Sequence, residues 1–195
     1  MEGFAAKSLG PHWSIGLEGR VNASDFGNIS FSSRLSPAVE FSLFPYRDYA
    51  SRQMLFQYQV GVQHARYHEI TLFDKTRETL PNHELRISFD QRQPWGSVST
   101  SVEWSQYLHA LSKYRIEVDS EVSIRIIRGL SVSLEAQASR IHDQLSLARR
   151  GATPEEVLLR LRQLQSSYEV NFQINLSDSF GSIFNSVVNP RFGGG

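Results

Sequence analysis

The segment Ser166–Leu176, SSYEVNFQINL, alternates without a break. Tyr168, Val170, Phe172, Ile174 and Leu176 share one phase, and Glu169, Asn171, Gln173 and Asn175 share the other. Successive side chains of a strand point to opposite faces, so this pattern makes a strand with one apolar and one polar side. The segment has no Pro or Gly and is rich in aromatic and β-branched residues, which fit a pleated surface. The same two-sided pattern recurs through most of the chain. That repetition predicts an all-β, antiparallel, up-and-down architecture.

Upstream, Gly3–Leu9 reads as a weak strand ended by Gly10-Pro11. Alternating strands are then expected over Trp13–Ala23, Ile29–Leu43, Met54–Tyr67, Leu85–Arg92, Ser97–Leu108, Tyr114–Ile126 and Leu130–Ala138. Pro37 lies inside one of them and predicts a bulge or bend, because proline cannot donate to a ladder. Thr71–His83, with Pro81-Asn82, reads as a long loop. Thr153-Pro154-Glu155-Glu156, followed by Val157, Leu158, Leu161 and Leu164, predicts a short amphipathic helix over Pro154–Gln165.

Connections near Pro45–Ser51, Gln93–Gly96 and Arg128-Gly129 read as short. Those at Ser24–Asn28, Tyr67–Glu84, Leu108–Lys113 and His142–Gln165 include the long ones, all at one end. Short turns at one end and longer loops at the other are the asymmetry of outer-membrane barrels. Counting from Trp13 gives about eight strands with both termini at the short-turn end, and Gly3–Leu9 as a ninth stub. The expectation is a single transmembrane β-barrel over residues 1–192, followed by a flexible tail, Gly193–Gly195.

Alternation does not say which face is inside. A soluble lipocalin-like barrel, apolar inside around a ligand, is the alternative. The polar phase is rich in Ser, Gly, Gln and matched Arg and Glu, with almost no Lys. Small residues and opposite charges suit a narrow interior. The expected interior residues are Glu18, Arg20, Arg34, Glu40, Arg86, Asp90, Arg92, Glu103, Arg115, Glu117, Asp119, Glu121, Arg125, Glu135 and Glu169. Glu117, Asp119 and Glu121 are expected to pair with Arg86, Arg92 and Arg125. Trp13, Phe44, Tyr46, Trp95, Tyr107, Tyr114, Tyr168 and Phe180 stand near strand ends, as interfacial girdles do. With eight strands, side chains fill the interior, so a salt-bridged plug is favoured over a charge-lined passage.

The formal net charge is +0, which gives no basic footprint for nucleic acid. Cys is absent, which excludes disulfides and thiolate metal sites. No apolar run approaches the roughly 18–20 residues of a membrane helix, but a barrel strand needs only about 9–11 residues, alternately apolar. No secretory leader follows Met1, as expected of a mature chain. No nucleotide-binding glycine motif, zinc spacing or nucleophile elbow occurs. His64, His68, His83, His109 and His142 map to the long-loop end, with Asp74 and Asp143 nearby. A rim metal site or a hydrolase can be built from them on paper. His64, His68 and His142 fall on the apolar phase and His109 on the polar one, so loop histidines without a role are expected, and no enzyme, cofactor or metal.

The chain resembles a group of bacterial outer-membrane barrel proteins over nearly its whole length. The resemblance rests on Lys7–Trp13 (KSLGPHW), Phe44–Tyr46 (FPY), Phe73–Lys75 (FDK), Gln93–Gly96 (QPWG), Pro154–Leu159 (PEEVLL), and on Ser179–Phe184 with Val187–Phe192 after the last strand. It implies an outer-membrane location, with the lipid bilayer and the insertion machinery as partners, and no particular activity. In that group the barrel continues upstream of the Lys7 segment, which implies a shortened version here. Phe180 fits the assembly signal of such barrels, whereas Asn175 stands where Gly is usual and Asp178 where an aromatic is usual.

Overall fold

The computed structural model describes residues 1–143, 145–149, 155 and 168–178. The expected helix over Pro154–Gln165 (Glu155 aside), Phe180 and the glycine tail lie outside the described residues. The fold is one antiparallel sheet of nine strands in chain order. The strands are β1 (Glu2–Ser8), β2 (Trp13–Ser24), β3 (Ile29–Ser42), β4 (Arg52–Tyr67), β5 (Arg77–Gln93), β6 (Gly96–Tyr107), β7 (Ala110–Ile127), β8 (Leu130–Ile141) and β9 (Tyr168–Asp178). The Gly3–Leu9 stub is thus a full member of the sheet, paired with β2 from Glu2↔Arg20 to Ser8↔Ser14. Nine is odd. Met1 therefore lies at the loop end and Asp178 at the turn end, not both at the turn end. β1 and β9 are the edges, and the sheet is not closed between them.

The alternation read from the sequence holds across the whole sheet. One hydrogen-bonded row runs Ser8, Ser14, Glu40, Gln57, Arg86, Glu103, Glu117, Ser139, Glu169. The neighbouring row runs Trp13, Phe41, Phe56, Ile87, Val102, Val118, Ala138, Val170. The first is polar throughout and the second apolar throughout. The polar row starts at the last residue of β1 and ends at the second residue of β9, so the rows climb from the turn end to the loop end. That stagger is how strands tilt in a curling sheet.

Three local expectations change. Pro37 makes no bulge: it stands opposite Leu17, and the β3–β4 register is the same on both sides of it, although the two β3–β4 pairings around it are missing. Thr71–His83 is not all loop, because β5 begins at Arg77 and carries Pro81 opposite Val62. Leu108 N donates to Pro81 O at 2.8 Å, so the missing N–H of Pro81 also faces the β6 side, beyond the end of the β6 ladder. Leu108-His109 is a two-residue turn, whereas residues 43–51 form a nine-residue connection as long as 68–76. The contrast between the two ends is therefore weaker than the sequence implied, because the strands run further into the supposed loops.

Candidate functional site

Over β2–β5 the polar phase is the buried one. Ser36 is 0% exposed, Gln59 3% and Glu84 5%, whereas Leu35 is 57% and Val62 52% exposed on the other face. Arg20 of β2 and Arg115 of β7, five strands apart, line the same cavity, so the polar face is concave. The cavity, about 260 Å³, is also lined by Arg34, Gln63, Asn82, Glu84, Glu103, Ser105, Gln106, Tyr107, Lys113, Glu117 and Asp143.

Its charges are neutralised locally. Arg34 Nη1 lies 3.2 Å from Glu84 Oε2, and Arg34 Nε donates to Ser36 Oγ at 2.9 Å. Arg86 Nε donates to Glu103 Oε2 at 3.0 Å, and its Nη2 lies 3.5 Å from Glu84 Oε1. Arg115 forks onto Asp143 (Nε to Oδ2, 3.0 Å; Nη2 to Oδ1, 3.1 Å) and also donates to Glu117 at 2.9 Å. Arg20 pairs with Glu18 at 3.1 Å and Glu2 at 3.4 Å. Asn82 Oδ1 has no partner among the described residues and leaves an acceptor in the cavity wall.

All fifteen expected interior residues share this face, as the register requires. They do not all pair as expected. Arg86 takes Glu84 and Glu103, and Glu117 takes Arg115. Among the described residues Asp119, Glu121, Arg92 and Arg125 form no ion pair. Arg125 instead reaches the turn carbonyl of Pro94 at 3.5 Å, and Glu121 stands opposite Glu135, a second acid. Asp90 accepts from Ser99, Glu135 from Asn175 and Glu169 from Asn171. The ion pairs gather in the loop half of the concave face, where burial is deepest.

The aromatic residues divide. Trp13, Tyr114 and Tyr168 lie on the apolar face, and Trp95 is half exposed in the Pro94-Trp95 turn. Tyr114 stacks on His142 at 4.8 Å. Tyr46 and Tyr107 depart from the girdle expectation. Pro45 opens a short 3₁₀ turn, Tyr46–Asp48, that swings the Tyr46 hydroxyl onto the polar face. There it bonds Ser14 Oγ at 2.6 Å and donates to Glu40 Oε1 at 3.2 Å. Burial pushes its phenol pKa up, the Ser14 hydrogen bond opposes this, and the Glu40 charge adds to it. Tyr107 stands opposite Asn82 and lines the cavity. The histidines do not converge. His68 meets Asp25 at 3.0 Å, His64 meets Thr79, and His83 bridges Tyr58 and Gln106. No group of three or more His, Asp or Glu side chains that could hold a metal ion occurs among the described residues.

The loop end carries the feature that sequence reasoning missed. Among the described residues, Ala65, Tyr67, Leu72, Leu80 and Leu145 are the buried apolar ones, and they sit together at that end rather than along the sheet. A second cavity of about 220 Å³ there shares Gln63, Tyr107, Arg115 and Asp143 with the first and is walled by Leu145, Ser146 and Leu147. The loop 68–76 pairs with 145–149 through Thr71↔Ala148, Leu72 N to Leu147 O at 2.8 Å, and Arg149 N to Ile70 O at 2.9 Å. Asn28 holds both, in the left-handed region at φ 57°. The Gly27-Asn28 pair between two strands was the available signal.

No family model, curated protein or solved structure matches the chain.

Proposed function

We propose that the sheet closes as a transmembrane β-barrel in a bacterial outer membrane, apolar face to lipid, with a structural role. A narrow passive pore is the second reading. The observation that carries this is the inverted burial in β2–β5: Ser36, Glu84 and Gln59 are shielded while Ile15, Leu17, Leu35 and Val62 face outward. In water such a face is a large exposed apolar patch, whereas in a bilayer it is the lipid-facing surface. A polar concave face also weighs against a carrier of apolar ligands.

Backbone groups in lipid need partners, so the edges must be satisfied. β1 and β9 run in the same direction, and direct closure between them takes one parallel pair in an otherwise antiparallel sheet. The stagger of the rows supports tilted, barrel-like strands. The ion pairs around Arg34, Arg86 and Arg115 favour a braced interior, and the cavity of about 260 Å³ is what favours the passage reading.

The test is gel mobility in SDS after folding into detergent micelles. A faster unboiled band that is lost on boiling is expected. One band, from a protein soluble without detergent, overturns the membrane reading. Bilayer conductance then separates pore from plug.

A further inference from the structure

We propose that Arg66 and Arg77, neighbours on the apolar face at the loop end, clamp the phosphate of a membrane-lipid headgroup, a site that rests on that face being turned to lipid. Among the described residues, the charges of the strands divide by phase. Every strand acid except Asp178 shares the polar phase. The cations Lys7, Arg52, Arg66, Arg77 and Arg140 share the apolar one. On β4, Arg52 and Arg66 bracket the apolar residues Met54, Phe56, Tyr58, Val60 and Val62. Met54–Val62 is nine residues long, matching the roughly 9–11 of a spanning strand, so both arginines reach headgroup depth.

Arg66 and Arg77 are direct cross-strand partners, and both are exposed. Beside them Tyr67 N donates to Thr76 O at 2.9 Å. That makes Arg66–Arg77 a non-hydrogen-bonded pair, the type whose side chains stand closest. Like charges so opposed repel each other. Arg52 meets Asp48 at 3.0 Å, and Arg140 lies over the Tyr114 ring at 5.9 Å. Arg66 and Arg77 form no ion pair and cover no ring among the described residues. Glu78, next to Arg77 in sequence, is turned to the polar side, where it accepts from the Tyr67 hydroxyl.

An anion that both guanidinium groups can grip offsets the repulsion, and phosphate offers oxygens to two planar forks at once. Phe31, 43% exposed, is the other cross-strand partner of Arg66. It gives an acyl chain an apolar contact in the same row as the clamp.

The test is native mass spectrometry of the detergent-folded protein, titrated with dioleoyl phosphatidic acid or with dioleoylglycerol, which differ only by the phosphate. The parent is expected to form its one-lipid adduct at about tenfold lower concentration of phosphatidic acid. Arg66→Gln/Arg77→Gln should remove that preference, and Arg140→Gln should keep it. Arg66→Lys/Arg77→Lys retains both charges without the forks and should lose most of the preference, which keeps the test open should the glutamine variant fail to fold. Equal binding of the two lipids by the parent, or a preference that survives in both double variants, overturns the clamp. Complete displacement of phosphatidic acid by inorganic phosphate overturns the lipid as its occupant. A protein with no heat-shifted gel band fails the membrane reading and the clamp together, whereas a heat-shifted protein that binds both lipids alike loses the clamp alone.

Discussion

Arg34 reaches Glu84 across β4, over the bare backbone of Gly61. A β-carbon added at Gly61 would lie 2.3 Å from Ser36 Oγ and 3.1 Å from Arg34 Nε. The glycine in mid-strand is thus the gap through which β3 and β5 exchange charge. Gly61→Ala is expected to destabilise the fold by about 1–3 kcal/mol, the usual cost of overpacking. Ser36→Ala removes the nearest atom, so the double variant should recover part of the loss. Urea unfolding of the detergent-folded protein measures both. Equal stability of Gly61→Ala and the parent would mean Arg34 does not cross there.

Glu84 is the shared acid of Arg34 and Arg86, with its side chain 7% exposed. Removing one partner of a buried pair leaves an uncompensated charge and costs about 3–5 kcal/mol. Glu84→Gln should approach that loss, while Arg34→Met with Glu84→Leu, which removes both charges, should cost less. Arg86→Ala should fall between them, since Glu84 keeps Arg34. If the double variant proves the worst of the three, the pairs do not brace the interior.

The strand period was legible because every second residue had to choose a face, and the polar row from Ser8 to Glu169 keeps that choice across nine strands. The limits of β5 were not legible. Pro81-Asn82 carries loop punctuation, and only the end of β6 makes a proline harmless at that point. Tyr46 was misplaced because nearness to a strand end in sequence does not reveal a 3₁₀ turn that folds it back over Glu40. Gly27-Asn28 signals a turn, but not what Asn28 holds. Its partners, Glu69 and Ser146, are 41 and 118 residues away, and no local pattern encodes them.

The outward phase should tolerate charge by depth. Val60 lies mid-strand on the apolar face of β4, whereas Ile127 ends β7 beside a turn. In lipid vesicles, Val60→Arg is expected to cost about 2–4 kcal/mol, and Ile127→Arg about 0–1 kcal/mol. Unfolding free energies in vesicles decide this. A Val60→Arg variant that is as stable as the parent, and more soluble without detergent, would place that face in water.

Tyr46 ties the turn end to the polar face, and its ionisation should be readable. Its pKa is raised in the folded state, chiefly by burial. The folded protein therefore holds the proton more tightly than the unfolded chain, where tyrosine ionises near pH 10. The stability linked to this group is complete below that value and is lost as pH rises toward the folded pKa. Tyr46→Phe cannot ionise and loses the bonds to Ser14 and Glu40. At pH 8 the variant should be less stable by about 1 kcal/mol, the usual net worth of such a hydrogen bond. Above about pH 10 the gap should narrow, because only the parent keeps losing stability through this group. Melting temperatures of the two proteins between about pH 8 and 11.5 give the difference directly. A gap that stays constant across that range would mean the phenol is not held in its protonated form against Glu40.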